Sequence, residues 1–417
     1  MSATETDPTT EYRCPGQRYA ISRAVHLGRL ASFFPACRTC PHHDDTGELS
    51  PRTRRQLRET RGRGQEASLF FEEGMAGVCP NDFGPAAARG AAVALGMYLQ
   101  RQRAEVPDAP VVLIAGDGRP LTAELQAAVG EGLRWAGCHV VDLGAATAPC
   151  VALAIDHLQA AGGLLLGNPA DRPQTVGLKF WAPGPRPLSA GGVLDDLAAI
   201  YGRPVDRPTR NFGSRRRFQA DAPYLASLAD QYHALRPLRI LLDTRCAPLL
   251  GYLRRLTEPV ACEVLSAAGP AKLGEEVIAR AAHFGLSVLD DGEVCRSCDE
   301  RGREVPGERL LLLLAREQLR QSPGRSIVVE PDTSPQTLST LAAWGGRPVV
   351  AGPRRAAIDA AMRQTLAVFG GGPSGRFWFT AAQTAPDALR AVTQLLVLLS
   401  RSDRRFSEVL DAEAVVR

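Results

Sequence analysis

Lysine is nearly absent: among the 49 basic residues of this 417-residue chain only Lys179 and Lys272 are lysines, and the rest are arginines. Long apolar runs are missing as well. None approaches the roughly 18 consecutive residues of a membrane-spanning helix, and Met1–Thr10 is polar and acidic rather than a basic stretch followed by an apolar one. Neither a span nor a secretory leader is expected, and a cytoplasmic location follows. An excess of one charge is lacking too, since 49 basic against 45 acidic residues leave +4, too little in so long a chain to argue for a nucleic-acid partner. The 10 cysteines have neither the density nor the regular spacing of a disulfide scaffold, which leaves thiols or metal ligands in a reducing compartment.

What is present is ordinary globular material. Apolar residues make up 45% and charged ones 23%, and the length exceeds what one hydrophobic core supports, so two to four domains are expected. Cysteine and histidine concentrate between Cys14 and Asp45, and the Arg-, Gly- and Ser-rich stretch from Gly47 to Ser68 reads as a linker or a poorly packed helix. Helix and strand patterns then alternate: helix over 85–101, strand over 110–115, helix over 122–136, strand over 139–143, helix over 150–160, strand over 163–166. A Pro- and Gly-rich passage over 183–208 interrupts this rhythm. Strand patterns at 238–242, 262–265 and 286–289 mark a second α/β unit, and those at 326–330, 348–350 and 366–369, with a long helix over 386–401, mark a third. The expected division is a tail, Cys/His module and Arg-rich linker over 1–67, then α/β domains over 68–210, 211–323 and 324–417.

Five segments carry a family resemblance. They are VVLIAGDGRP from Val111, EGLRWAGCHVVDLG from Glu131, GGLLL from Gly162 with the later Gly177-Leu178-Lys179, LDDGEV from Leu289 with DERG from Asp299, and FGGGPSGR from Phe369. In this order they resemble the phosphohexomutases, the phosphomannomutase and phosphoglucomutase enzymes, from Ser68 to the C-terminus. The resemblance implies three consecutive mixed α/β domains with the family's fourth absent. It also implies a chemistry in which a phosphoserine passes its phosphoryl group to a hexose phosphate and takes one back, which needs an oxygen nucleophile, a cation and a positioned acid or base.

Carried over residue by residue, the resemblance places the phosphoserine at Pro169 and the histidine after it at Ala170. Proline has no hydroxyl; Thr175, further along the loop, is the one rescue weighed. The Mg²⁺ loop aligns with Asp291 at the second ligand and Glu293 at the third, while the first falls on Leu289 unless Asp290 shifts by one, and the loop arginine is Val294. A weakened or absent Mg²⁺ site is expected, the bland reading being a tight acidic turn. In the sugar loop the family's glutamate is Gly372, with Ser374, Gly375 and Arg376 following, and near the start of the first domain the active-site arginine is Ala76. Asp117 and Arg119 are retained as substrate-binding candidates. Lys179 falls at the acid/base position, where burial could lower a lysine's pKa; a solvent-facing lysine at a strand start is the alternative.

Outside the resemblance, Cys37-Arg38-Thr39-Cys40 with nearby Cys14 and histidines offers soft ligands for a structural zinc ion. Cys14, His26, Cys37 and Cys40 are the expected set, with His42 in reserve for the fourth place. A helical cap with buried cysteines and an iron–sulfur cluster are the other readings. Cys295 and Cys298 read as core residues of a strand.

The functional expectation is a phosphohexomutase-like protein without the mutase reaction, acting as a binding, regulatory or scaffold protein. Its expected partners are a phosphosugar, a nucleotide sugar or an active mutase relative. The alternatives are an active phosphosugar mutase completed by another residue or a second chain, and a zinc-module adaptor whose Arg-rich linker touches nucleic acid or an acidic protein.

Overall fold

The computed structural model describes residues 12–13, 18–34, 36–37, 40–61, 69–102, 108–169, 175–379 and 385–414. They fall into two compact units, Met1–Leu69 with Gly77–Asp82 and Phe70–Ala76 with Phe83–Arg417.

In the first unit, the helix Arg23–Ala31 begins at Ser22, whose hydroxyl accepts from the Val25 amide and so satisfies one of the orphaned donors at a helix start. Leu30 from this helix packs with Phe33, Cys37 and Leu57, the last from a second helix, Pro51–Arg61. Part of the stretch read as a linker or loose helix is therefore helical; residues 62–68 lie outside the described residues. Tyr12 stacks on the His26 ring at 4.1 Å and donates its hydroxyl proton to the Asp45 carboxylate. His26 Nε2 meets the Asp45 carbonyl at 2.9 Å, and His43 Nδ1 meets the Cys37 carbonyl at 2.9 Å. These rings tie turns together.

The described residues do not show the expected zinc site. Cys14 lies outside the described residues. Cys37 and Cys40 are buried, and His26 meets the Asp45 carbonyl through Nε2 and stacks on the Tyr12 ring. Among the described residues no group of three or more His, Cys, Asp or Glu side chains is placed to hold a metal.

The second unit holds three sheets. The first contains β1 Phe70–Phe71, β2 Gly74–Val78 (its last two residues counted with the first unit), β3 Val111–Gly116, β4 His139–Ala145, β5 Gly162–Gly167, β6 Thr175–Ala182, β7 Arg186–Pro187 and β8 Arg215–Arg217, in the order β1-β2-β6-β5-β3-β4-β8 with β7 on β6. Parallel β3, β4 and β5 are the apolar runs read from the sequence; every residue of β5 is buried, as suits a central strand covered on both faces. Strand β6 returns antiparallel to β5, which sets Gly177 opposite Gly167 and Lys179 opposite Leu165.

The second sheet, in the order β10-β9-β11-β12-β13, contains β9 Arg239–Thr244, β10 Glu263–Ser266, β11 Phe284–Leu289, β12 Val294–Cys298 and β13 Glu304–Val305. Cys295 and Cys298 of β12 point into different apolar clusters. The third sheet, in the order β15-β14-β16-β17, contains β14 Ser326–Val329, β15 Arg347–Val350, β16 Phe369–Gly371 and β17 Phe377–Phe379. Its first expected strand residue, Leu366, is instead the left-handed cap of the helix Arg355–Thr365, at φ 50°, and strand pairing starts at Phe369. Leu389, Val392, Leu395, Leu396 and Leu399 of the helix Ala388–Ser400 join the large core built from all three sheets. No helix among the described residues is long and apolar enough to cross a membrane.

Candidate functional site

The loops singled out in the sequence leave the ends of β3, β5, β11 and β16, where α/β folds gather their sites. Hydrogen bonds tie these loops to one another. Arg119, in the turn after β3, donates from Nη2 to the Gly167 carbonyl at 2.9 Å and from Nη1 to the Thr175 carbonyl at 3.1 Å. Its Nε is paired with Asp117, which also accepts from the Arg119 amide and the Thr122 hydroxyl. The expected substrate-binding pair thus clamps both ends of the loop that carries Pro169.

Beyond Gly167 the loop runs through Asn168 and Pro169; residues 170–174, including Ala170, lie outside the described residues. The Asn168 amide donates to Asp291 Oδ1 at 2.9 Å. Gly167 permits this approach, because a Cβ there would lie 2.2 Å from Asp291 Oδ2. Thr175, the weighed phosphate acceptor, is 4% exposed at the start of β6.

Between β11 and β12, Asp290, Asp291 and Gly292 take φ values of 51°, 60° and 95°, three left-handed residues in a row. For two aspartates this is strained backbone, of the kind that persists only where surrounding contacts fix it. Those contacts converge on Lys179. Its side chain is 1% exposed, and Nζ donates to the Asp290 carbonyl at 2.7 Å and to Glu293 Oε2 at 2.9 Å. It is also ion-paired with Asp290 Oδ1 at 2.6 Å and Asp291 Oδ2 at 3.5 Å. Asp290 Oδ1 is the first of the three carboxylate oxygens turned to Lys179, and Leu289 precedes the turn as the last residue of β11.

Each carboxylate spends its second oxygen elsewhere. Asp290 Oδ2 receives Arg376 Nη2 at 2.6 Å, Asp291 Oδ1 receives the Asn168 amide, and Glu293 Oε1 receives Arg355 Nη1 at 3.0 Å. Arg376 also holds Glu73 through Nη2 at 2.8 Å and Nη1 at 3.3 Å. Arg355, 1% exposed beneath the Trp181 ring, donates from Nη2 to the Glu73 carbonyl at 3.0 Å, while its amide donates to Glu73 Oε1 at 2.6 Å. Four carboxylates and three fixed cations form one buried network.

The protonation states follow from this packing. Burial alone would strip the Lys179 proton, but Asp290, Glu293 and Asp291 outweigh it and hold the ammonium well above its ordinary value. The expected lowering is therefore reversed. Burial likewise works against the Asp290 charge, yet Lys179 and Arg376 keep that carboxyl well below the usual range. Glu73 is held low by Arg355 and Arg376 against its burial. Asp291 goes the other way: burial, reinforced by the Asp290 charge, lifts it to about 6 despite Lys179.

The same donor set decides the fit of a divalent ion. Mg²⁺ takes oxygen ligands at about 2.0–2.1 Å in near-octahedral geometry. Asp290 Oδ1, Asp291 Oδ2 and Glu293 Oε2 are the oxygens left for it, and all three are turned to Lys179 Nζ. An ion bound to them would have to sit against the ammonium. With Lys179 in place the residues do not fit the ion.

The sugar loop is closed from below. Glu330, 6% exposed after β14, accepts from the Ser374 amide at 3.0 Å and from its hydroxyl at 2.5 Å. Its Oε2 lies 2.3 Å from where a Cβ on Gly372 would stand. Gly375 accepts from the Cys295 amide at 2.9 Å, which pins the loop to β12. Ser374, Gly375 and Arg376, expected to face a substrate, all make contacts within the chain. Glu73, Arg355 and Glu330 were not singled out in the sequence. Glu73 stands three residues before Ala76 and was open to notice, whereas nothing distinguishes Arg355 in an arginine-rich chain.

Fold and loop order define a phosphohexomutase architecture. The chain matches the family description "Phosphoglucomutase/phosphomannomutase, alpha/beta/alpha domain I" over residues 67–192 and the corresponding domain III over residues 306–415. It belongs to the phosphoglucomutase/phosphomannomutase family. A Xanthomonas campestris relative called phosphohexose mutases is 28% identical over 330 residues, which cover 74% of this chain and 73% of the relative. A family protein of known structure from Burkholderia thailandensis superposes with a TM-score of 0.74 at 22% identity, over 83% of this chain and 79% of its own. The Aspergillus fumigatus N-acetylphosphoglucosamine mutase, solved with GlcNAc-6P and magnesium, shares the fold at a TM-score of 0.52 and 10% identity, over 87% of this chain and 83% of its own.

Proposed function

We propose that this family member does not run the serine-phosphate mutase cycle and serves carbohydrate metabolism as a binding, regulatory or scaffold protein. A phosphosugar, a nucleotide sugar or an active mutase relative is its partner. The observation that carries the reading is Pro169: the residue aligned with the phosphoserine has no hydroxyl, and no phosphoryl group can be stored on it. The network around it supports the same conclusion. Lys179 is held protonated by three carboxylates, so it is a fixed positive charge rather than a group that exchanges a proton near neutral pH. Arg119, Ser374 and Arg376 already have partners within the chain.

The test is the intact mass of the purified chain after incubation with glucose 1,6-bisphosphate and Mg²⁺. An unchanged mass is expected. A species one phosphate heavier, mapped to Thr175 or to a residue of the 168–174 loop and accompanied by turnover, replaces this reading with that of an active mutase using a different acceptor.

A further inference from the structure

We propose that the Lys179 ammonium is the resident cation of the loop between β11 and β12, so that the loop binds no divalent metal and needs none to hold its shape. Lys179 Nζ lies 2.6, 3.5 and 2.9 Å from one oxygen each of Asp290, Asp291 and Glu293, and takes the Asp290 carbonyl at 2.7 Å as a further acceptor. Three carboxylates and a backbone carbonyl directed at one point are the donor set a hard cation asks for. Here a covalently attached cation fills that point. The other oxygens are fixed by Arg376, by the Asn168 amide and by Arg355, so no carboxylate can swing out to make room for an ion beside the ammonium.

The sequence supports the assignment from a separate direction. With two lysines in the chain, the composition favours arginine wherever positive charge alone is needed. A planar guanidinium cannot place its charge at the meeting point of three carboxylates as a compact ammonium does. A lysine kept at this buried position is what the geometry requires.

Charge leads to the same result. Glu73, Asp290, Asp291 and Glu293 face Lys179, Arg355 and Arg376 in a nearly balanced set. Removing the ammonium leaves three buried carboxylates with a deficit of positive charge and an empty centre, and a divalent ion supplies both. Lys179→Met keeps much of the side-chain volume and should therefore create a metal site that the natural chain lacks. The inference concerns cation binding only; it holds or fails whether or not the chain turns over a phosphosugar.

The test is a titration of the full chain with Mn²⁺, which favours the same carboxylate oxygens as Mg²⁺ and is counted by electron paramagnetic resonance. Melting curves with and without either ion accompany it. The natural chain should take up no stoichiometric Mn²⁺ at millimolar concentration, and its melting temperature should not move. Lys179→Met should bind one Mn²⁺ per chain at least about tenfold more tightly than the natural chain and melt higher with the ion than without it. A variant that folds only when Mn²⁺ is present gives the same answer. One Mn²⁺ bound by the natural chain and lost in Asp291→Asn overturns the inference, and this arm needs no Lys179 variant. A folded Lys179→Met that binds no ion overturns it equally.

Discussion

At the scale of single residues, neighbouring aspartates carry opposite consequences. Asp290 faces Lys179 and Arg376 and is held ionised, whereas Asp291 shares Lys179 with it and has only the Asn168 amide besides. Its carboxyl is lifted from 3.8 to about 6. Between these two values the folded chain holds a proton that the unfolded chain has released, so folding loses ground as pH rises through this window. Above it the full penalty remains, on the order of 3 kcal/mol at ordinary conversion. Asp291→Asn keeps an acceptor for the Asn168 amide and removes the charge. Its melting temperature should match the natural chain near pH 4 and exceed it near about pH 7.5; a gap of the same size at both pH values would refute the raised carboxyl. Arg355→Met is expected to act in the opposite sense, because it leaves Glu293 Oε1 without its partner, with Lys179 alone on Oε2, and weakens the hold on Glu73. Breaking a buried pair from one side costs about 3–5 kcal/mol, read as a lowered melting temperature at neutral pH.

At the scale of elements, strands and helices were legible and the loop contacts were not. Apolar runs such as Leu113–Ile114 and Leu164–Leu166 announce buried strands by themselves. The partner of a loop carboxylate comes from a distant segment, and no local pattern records it. Glu330 illustrates the difference. In the sequence, the sugar loop shows only that its glutamate is Gly372. The structure puts a carboxylate from the end of β14 into the space next to that glycine, where it fastens Ser374. The glycine is then a packing requirement as well as a missing ligand. Gly372→Ala should lower the melting temperature, since its Cβ would overlap Glu330 Oε2, and overpacking of this kind costs about 1–3 kcal/mol. An unchanged melting temperature would mean that the loop moves aside freely. Lys179 was noticed in the sequence, but its chemistry was read backwards, because burial was visible as an expectation and the three carboxylates opposing it were not.

At the scale of the whole molecule, the order of five weak motifs over three sheets was enough to read the family, while the N-terminal Cys/His cluster was read by ligand type alone, and its described residues show no metal-holding group. Histidines there hold backbone carbonyls, a role that spacing cannot separate from metal binding. The same long-range order bears on catalysis. The natural chain should show no phosphoglucomutase or phosphomannomutase turnover above background with Mg²⁺ and a bisphosphate activator, and Pro169→Ser should not restore it. A serine at 169 returns a hydroxyl to the loop and nothing more. The oxygens of Asp290, Asp291 and Glu293 stay on Lys179, Arg376 and Arg355, so no additional cation is there to meet a transferring phosphoryl group. Gly372 still presents no carboxylate to a sugar, and a glutamate side chain cannot be added there while Glu330 occupies the adjoining space. Loss of a nucleophile stops a two-step transfer outright, whereas each remaining deficit lowers what a restored nucleophile could achieve. A coupled assay on Pro169→Ser, beside the natural chain and freed of host mutase, measures this directly. Turnover that appears only in the variant would place the whole defect at one residue and show that the surrounding network still accepts the reaction.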